Sequence, residues 1–261
     1  MTPSATELLD LAVAVAREGA ANAAGMRRAG VEVAGTKSSE IDIVTAADRA
    51  TEDLVRRRLR ELRPDDGVLG EEGAERPGST GVRWIVDPID GTVNYLYGWG
   101  WYAVSIAAEV DGEIVAGAVR NPANGDEFTA HRGGGARRNG EPVRVRGPVP
   151  LSQSLIGTGF NYEQSVRAAQ AGAVARMLPR IRDIRRQGSC ALDLCMVACG
   201  LLDGYVEEGP EVWDDAAGGL VAVEAGARVE VATGASGKRL VVCAPEHSWE
   251  RFHGLVRDCG F

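Results

Sequence analysis

The sequence predicts a layered α/β fold, and three stretches carry that prediction. The run Trp84-Ile85-Val86-Asp87-Pro88-Ile89-Asp90-Gly91-Thr92 reads as a buried strand that stops on a carboxylate and turns directly into a helix. Ser4-Ala5-Thr6-Glu7 is a capping box that opens a long alanine-rich helix, with Leu8, Leu11 and Val15 on one stripe until about Ala24. Residues 101–110, 114–119 and 127–130 alternate as antiparallel strands, the first two joined at Asp111-Gly112. At 261 residues and 44% hydrophobic, the chain can bury one large core shared by two intimate halves. Gly147-Pro148-Val149-Pro150 is the boundary candidate, giving an α+β half over 1–147 and an α/β half over 148–261.

Composition excludes several classes. A net charge of −8 argues against nucleic-acid binding, which needs a basic face. His131, His247 and His253 are scattered, so a zinc site or a histidine-based hydrolase has little to work with, and oxygen-only ligation is favoured. The five cysteines include no CxxC, and Cys190, Cys195 and Cys199 fall in one helix as small buried hydrophobes of a reducing compartment. The N-terminus lacks a signal core, and no apolar run approaches the roughly 20 residues of a membrane span. The expected location is the cytoplasm.

The central run carries the chemistry. Pro88 forces Asp87 out of the helical region, so Asp87 is expected at the carboxyl end of a strand, where open α/β sheets bind ligands. Asp90 follows in a tight turn, and the amides of Gly91 and Thr92 point outward as a helix begins. Two carboxylates beside a helix start describe a site for a metal with a phosphate; the competing reading is a turn whose acids cap backbone donors. Aspartyl-phosphate phosphatases also end their motif in Asp-Gly-Thr, but a single residue separates their two aspartates. Here Pro88 and Ile89 both intervene, which favours metal ligands over a nucleophile.

Lys37-Ser38-Ser39 lies in a polar loop. Thr45 is the N-cap of a helix to about Leu62, with Asp48 either completing a capping box or serving catalysis, and Arg56, Arg57, Arg58 and Arg60 on its solvated face. A short strand at Val68-Leu69 ends in Gly70-Glu71-Glu72-Gly73, a solvated turn on its own and a source of a third carboxylate beside Asp87 and Asp90. Gly133-Gly134-Gly135 lacks the Gly-Lys-Ser/Thr of a phosphate loop, and Asn139-Gly140 marks a hairpin. Arg132, Arg137, Arg138, Arg144 and Arg146 are expected as solvated hairpin positions.

The second half reads as a strand at 155–157, a helix over about 165–178, a strand at 181–184 and an apolar helix over 190–199. The N-terminus of that last helix either faces an anion or is capped by Ser189. A strand over 202–208 ends in acids, and Asp214 is the expected N-cap of a small-residue helix to Glu224, from which it can also reach a cation. Strands at 229–231 and 240–243 and a helix over about 246–258 complete the half.

Together these pieces resemble the inositol monophosphatase family over nearly the whole chain. They are Lys37-Ser38, Asp42-x-Val44-Thr45-x-x-Asp48, Gly70-Glu71-Glu72, Asp87-Pro88-Ile89-Asp90-Gly91-Thr92, Gly188-Ser189, Asp203-Gly204-Tyr205-x-Glu207 and Trp213-Asp214-x-Ala216-Ala217-Gly218. Val93-Asn94-Tyr95-Leu96-Tyr97-Gly98 is similar to the bacterial inositol-1-monophosphatase branch. The resemblance implies an αβαβα sandwich of the inositol monophosphatase and fructose-1,6-bisphosphatase type, usually dimeric, lithium-sensitive and dependent on Mg²⁺, with two ions per subunit or three. It implies that Glu71, Asp87 and the Ile89 carbonyl hold one Mg²⁺, while Asp87, Asp90 and Asp214 hold a second. It further implies that Asp48 and Thr92, with Glu71, activate the attacking water, that Gly91, Thr92, Ser189 and Cys190 line the phosphate site, and that Glu207 and Asp214 meet the substrate. The substrate so implied is a small phosphate monoester, myo-inositol monophosphate first, with fructose-1,6-bisphosphate, histidinol phosphate and a 3′-phosphoadenosine nucleotide as alternatives, and a non-catalytic binding protein as the rival class. Cys190 stands where the family more often has Ala, Ala227 replaces a Gly, and Pro210-Glu211-Val212 is unusual, which bears on substrate preference.

Overall fold

The structure is a computed structural model that describes residues 3–36 and 43–261; Lys37, Ser38, Ser39 and Asp42 of the sequence motifs lie outside the described residues. Helix α1 (Ala5–Ala29) opens on the expected Ser4/Glu7 capping box and runs on past Ala24, where Met26, Arg27 and Arg28 are good helix formers. Strands β1 (Val33–Thr36) and β2 (Ile43–Thr45) form an antiparallel pair ahead of helix α2 (Ala46–Leu62). Arg56 and Arg58 depart from the solvated face expected of them. Arg56 bonds Glu52 and the carbonyls of Gly73 and Ala74, and Arg58 reaches Glu18 of α1.

A seven-stranded sheet follows in chain order: β3 (Gly67–Gly70), β4 (Val82–Asp90), β5 (Ala103–Val110), β6 (Glu113–Arg120), β7 (Glu127–His131), β8 (Ala136–Arg138) and β9 (Glu141–Pro142). Only β3 and β4 run parallel; every later neighbour is antiparallel. Asn139 and Gly140 both take positive φ, 52° and 86°, as a two-residue hairpin between β8 and β9 requires. The amides of Gly133 and Gly135 bind the Glu224 carboxylate at 2.9 Å, so that glycine run holds a side chain of the protein itself.

Strand β4 is buried almost throughout, which is why it reads as a continuous apolar run. It does not stop at Asp87. Pro88 has no N–H to give the ladder, and the register slips so that Asp87 faces Ser105 while Asp90 faces Ala103. The strand regains pairing at Asp90, and Gly91 then turns through φ 95° into the short helix α3 (Thr92–Tyr97).

The second half supplies β10 (Leu155–Thr158), α4 (Gln164–Met177), β11 (Asp183–Arg185), α5 (Cys190–Ala198), β12 (Gly204–Glu208), α6 (Val212–Glu224), β13 (Ala227–Thr233), β14 (Arg239–Pro245) and α7 (Trp249–Cys259). Its strands form a five-stranded sheet in the order β11-β10-β12-β14-β13. Asp214 is the third residue of α6 and not its N-cap. Glu211 takes the cap position, and its N–H donates to Asp214 Oδ2 at 2.6 Å.

Side-chain alternation along β4 separates the cores. Trp84 and Val86 pack with Leu8 and Val15 of α1 and Val55 of α2 on the outer face. Ile85 faces the other way, onto α5 and α6, whose Leu194 and Val221 also meet Tyr205 and Val241 of the second sheet. Beyond that sheet, α4 and α7 close the far side with Val174 and Phe252. The layers therefore run αβαβα. Close approach sets the middle layer: a Cβ on Gly117 of β6 would lie 3.0 Å from Ala217 Cα, and one on Gly218 would lie 2.7 Å from the Ala191 carbonyl oxygen.

Candidate metal centre and active site

The irregular end of β4 delivers Asp87 and Asp90 to one place, and the first turn of α6 adds Asp214. One carboxylate oxygen from each lies within 4.8 Å of the others. Glu71, in the turn after β3, abuts the Asp87 carboxyl. Asp87 Oδ1 accepts from the Ile89 amide at 3.0 Å, whereas Oδ2 is buried and no donor among the described residues reaches it. Burial, then the charges of Glu71, Asp90 and Asp214, pushes the Asp87 carboxyl well above its usual range. Asp214 is driven upward by burial and then by Asp90 and Glu71. Burial also lifts Asp90 to about 7, against the pull of hydrogen bonds from Ser189 and Ala191.

Converging carboxylates with a buried oxygen that no donor among the described residues meets are unstable as bare anions, and a divalent cation would neutralise them. All the donors are hard oxygens, so the site fits a cation of the Mg²⁺ or Ca²⁺ kind and gives no handle to a soft metal. The Ile89 carbonyl oxygen is at hand, 3.2 Å from the Thr92 hydroxyl oxygen.

Beside the acids stands a buried pair. Asp48 Oδ2 closes the α2 capping box on the Thr45 amide at 2.8 Å, and Oδ1 accepts from the Thr92 hydroxyl at 3.0 Å. The capping-box reading of Asp48 holds, and its second oxygen is turned to Thr92 at the same time. Thr92 itself is the first residue of α3 and caps nothing.

A cleft of about 1240 Å³ opens over these groups, walled by Glu71, Asp87, Asp90, Thr92, Glu207 and Asp214. Gly91 and Cys190 also face it, the thiol raised by burial above its ordinary range and so protonated. Ser189 is placed differently from the expected phosphate contact. Its hydroxyl donates to Asp90 Oδ2 at 2.6 Å and accepts from the Leu192 amide, and it is not part of the cleft wall. The N-terminus of α5 does face an anion, since Ala191 N donates to the same Asp90 oxygen at 2.7 Å.

Two supporting residues escaped the sequence reading. Glu52, on the inner face of α2, accepts from the amides of Glu72 at 2.7 Å and Gly73 at 2.8 Å and so holds the turn that carries Glu71. Its place on the buried face of an amphipathic helix was the available signal. Asn94 ties α3 to the carbonyls of Trp101 and Gln187, both at 2.7 Å, and no local pattern announces that role.

The profile of the inositol monophosphatase family matches residues 4–259. The chain belongs to this family. Within it, the chain is 48% identical over 236 residues to a Mycobacterium bovis protein named inositol-1-monophosphatase, covering 86% of this chain and 81% of that one. It is 41% identical over 211 residues to a Xylella fastidiosa protein named Nus factor SuhB, covering 80% and 76%. Among solved structures, Mycobacterium tuberculosis SuhB superposes with a TM-score of 0.86 at 42% identity, covering 99% of this chain and 98% of the other. Inositol monophosphatase from Anabaena superposes at 0.81 with 30% identity, covering 97% and 94%. Inositol monophosphatases are metal-dependent phosphatases, and Asp87, Asp90 and Asp214 form a cluster of acids that could hold a metal ion.

Proposed function

We propose that this inositol monophosphatase family member is a Mg²⁺-dependent phosphomonoesterase that hydrolyses myo-inositol monophosphate by direct attack of water. The observation that carries the reading is the meeting, in one cleft, of the Asp87, Asp90 and Asp214 carboxylates with the Asp48–Thr92 pair. Glu71, Asp87 and the Ile89 carbonyl would hold one Mg²⁺, and Asp87, Asp90 and Asp214 a second. When bound, Mg²⁺ supplies Lewis-acid polarisation of the phosphoryl oxygens and a lowered pKa for water. The Thr92 hydroxyl, donating to Asp48, turns its oxygen lone pair outward to accept from a water and aim it at phosphorus. As the water gives its proton to the Thr92 oxygen, the Thr92 hydroxyl proton passes to Asp48 Oδ1, which becomes the neutral acid. The Gly91 and Thr92 amides at the start of α3 face the phosphate, and Glu207 accepts from a hydroxyl of the cyclitol. No covalent link to the enzyme is needed in this in-line displacement.

The Mycobacterium bovis relative's name supports the inositol substrate. Cytoplasmic location and a homodimer, two halves meeting near residue 147 and inhibition by Li⁺ complete the reading; among the described residues no helix is long and apolar enough to cross a membrane. Phosphate release from myo-inositol 1-phosphate, fructose-1,6-bisphosphate, histidinol phosphate and a 3′-phosphoadenosine nucleotide, each with and without Mg²⁺, tests it. The expected ranking puts the inositol ester first. Absence of Mg²⁺-dependent release from all of them would favour a binding role, the direction in which the name Nus factor SuhB on the Xylella fastidiosa relative points.

A further inference from the structure

We propose that Tyr205 and Gly159 are positioning residues that set substrate selectivity by fixing the Glu207 carboxylate, an inference that rests on the hydroxyl-recognition role given to Glu207 above. Tyr205 and Glu207 are two apart on β12, so their side chains leave the same face of the sheet, toward α5 and the cleft. Tyr205 is fully buried, and its hydroxyl donates to Glu207 Oε2. The Cys190 thiol lies beside that hydroxyl. Gly159, just past the end of the neighbouring strand β10, closes the seat. A Cβ there would lie 1.9 to 2.2 Å from the Glu207 carboxyl atoms, so the carboxyl rests directly on bare backbone.

With Oε2 committed to Tyr205, the carboxylate presents Oε1 to the cleft as its remaining acceptor. A fixed single acceptor reads one hydroxyl donor at one position. It favours phosphate esters of polyols over esters whose alcohol is apolar or offers only acceptors, and fixing it beforehand spares the ordering cost at the moment of binding.

The test measures kcat and KM for myo-inositol 1-phosphate and for 4-nitrophenyl phosphate at saturating Mg²⁺, in wild type, Glu207→Ala, Tyr205→Phe and Gly159→Ala. Tyr205→Phe keeps the ring and removes the donor. Gly159→Ala keeps the donor and displaces a flexible carboxyl, which preserves the test if the buried phenylalanine fails to fold. Each is expected to lower kcat/KM for the inositol ester about tenfold, the scale of a hydrogen bond to a charged group, chiefly through KM. Turnover of the aryl ester should stay within about twofold, since its alcohol offers no hydroxyl to read. If Glu207→Ala shifts this selectivity while neither other variant does, the seat is wrong. Equal losses on both esters would make the two residues merely structural and also overturn it. If Glu207→Ala shifts nothing, the recognition role itself falls, and the seat with it.

Discussion

Asp48 divides its carboxylate between two tasks, one oxygen for the capping box of α2 and one for the Thr92 hydroxyl. The sequence left those tasks as alternatives because residue spacing shows that a carboxylate can reach a neighbour, and not how its two oxygens are shared. Geometry now separates their consequences. Thr92→Ala removes no helix cap, so thermal stability should hold, while turnover falls by roughly 10²- to 10⁴-fold, the range for general-base groups. Asp48→Asn should cost a similar factor and also about 1 kcal/mol of stability through the weakened cap. The double variant should be little slower than either single, because the pair acts as a unit. Losses that multiply in steady-state assays would mean the two residues work separately. Ser189 carries the opposite lesson: its hydroxyl caps α5 and donates to Asp90, a contact between distant segments that local spacing does not announce.

Elements were legible in proportion to how local their causes are. The α1 capping box, the Asn139-Gly140 hairpin and the buried run of β4 each follow from adjacent residues, and each stands where the pattern put it. The end of β4 did not, since Pro88 interrupts pairing without ending the strand, and only the partner strand β5 shows the slip. The turn at Glu71 was read as solvated on its own, yet Glu52 holds it from twenty residues away. Glu52→Gln replaces an oxygen acceptor with an amide donor facing that turn. The apparent Mg²⁺ activation constant should rise about tenfold, as for outer residues that orient a metal ligand, with kcat at saturating Mg²⁺ little changed. A Mg²⁺ titration of activity that matches wild type would mean the turn is held by other contacts.

At the scale of the whole molecule, the site gathers contributions from three layers: Asp87 and Asp90 from the seven-stranded sheet, Asp214 from the middle helices and Glu207 from the second sheet. The apolar run of β4 foretold a buried strand, but which helices cover each of its faces is a long-range fact that needed the packing itself. Such a centre ties metal binding to folding. Mg²⁺ at a hundred times its dissociation constant should add about 2.7 kcal/mol to wild-type stability, read as a rise in Tm. Metal-free Asp87→Asn should melt no lower than metal-free wild type, because the variant relieves repulsion among Glu71, Asp87, Asp90 and Asp214. Its Tm should respond far less to Mg²⁺. The most direct measurement is phosphate release from myo-inositol 1-phosphate by wild type and Asp87→Asn across a full Mg²⁺ titration. The expected result is activity in wild type that rises from nothing with Mg²⁺, and less than about a tenth of it in the variant at every concentration, a barrier difference above roughly 1.4 kcal/mol. A variant that keeps more than that tenth, or a wild type that turns over equally well in chelator, would contradict a cation centre built on Asp87.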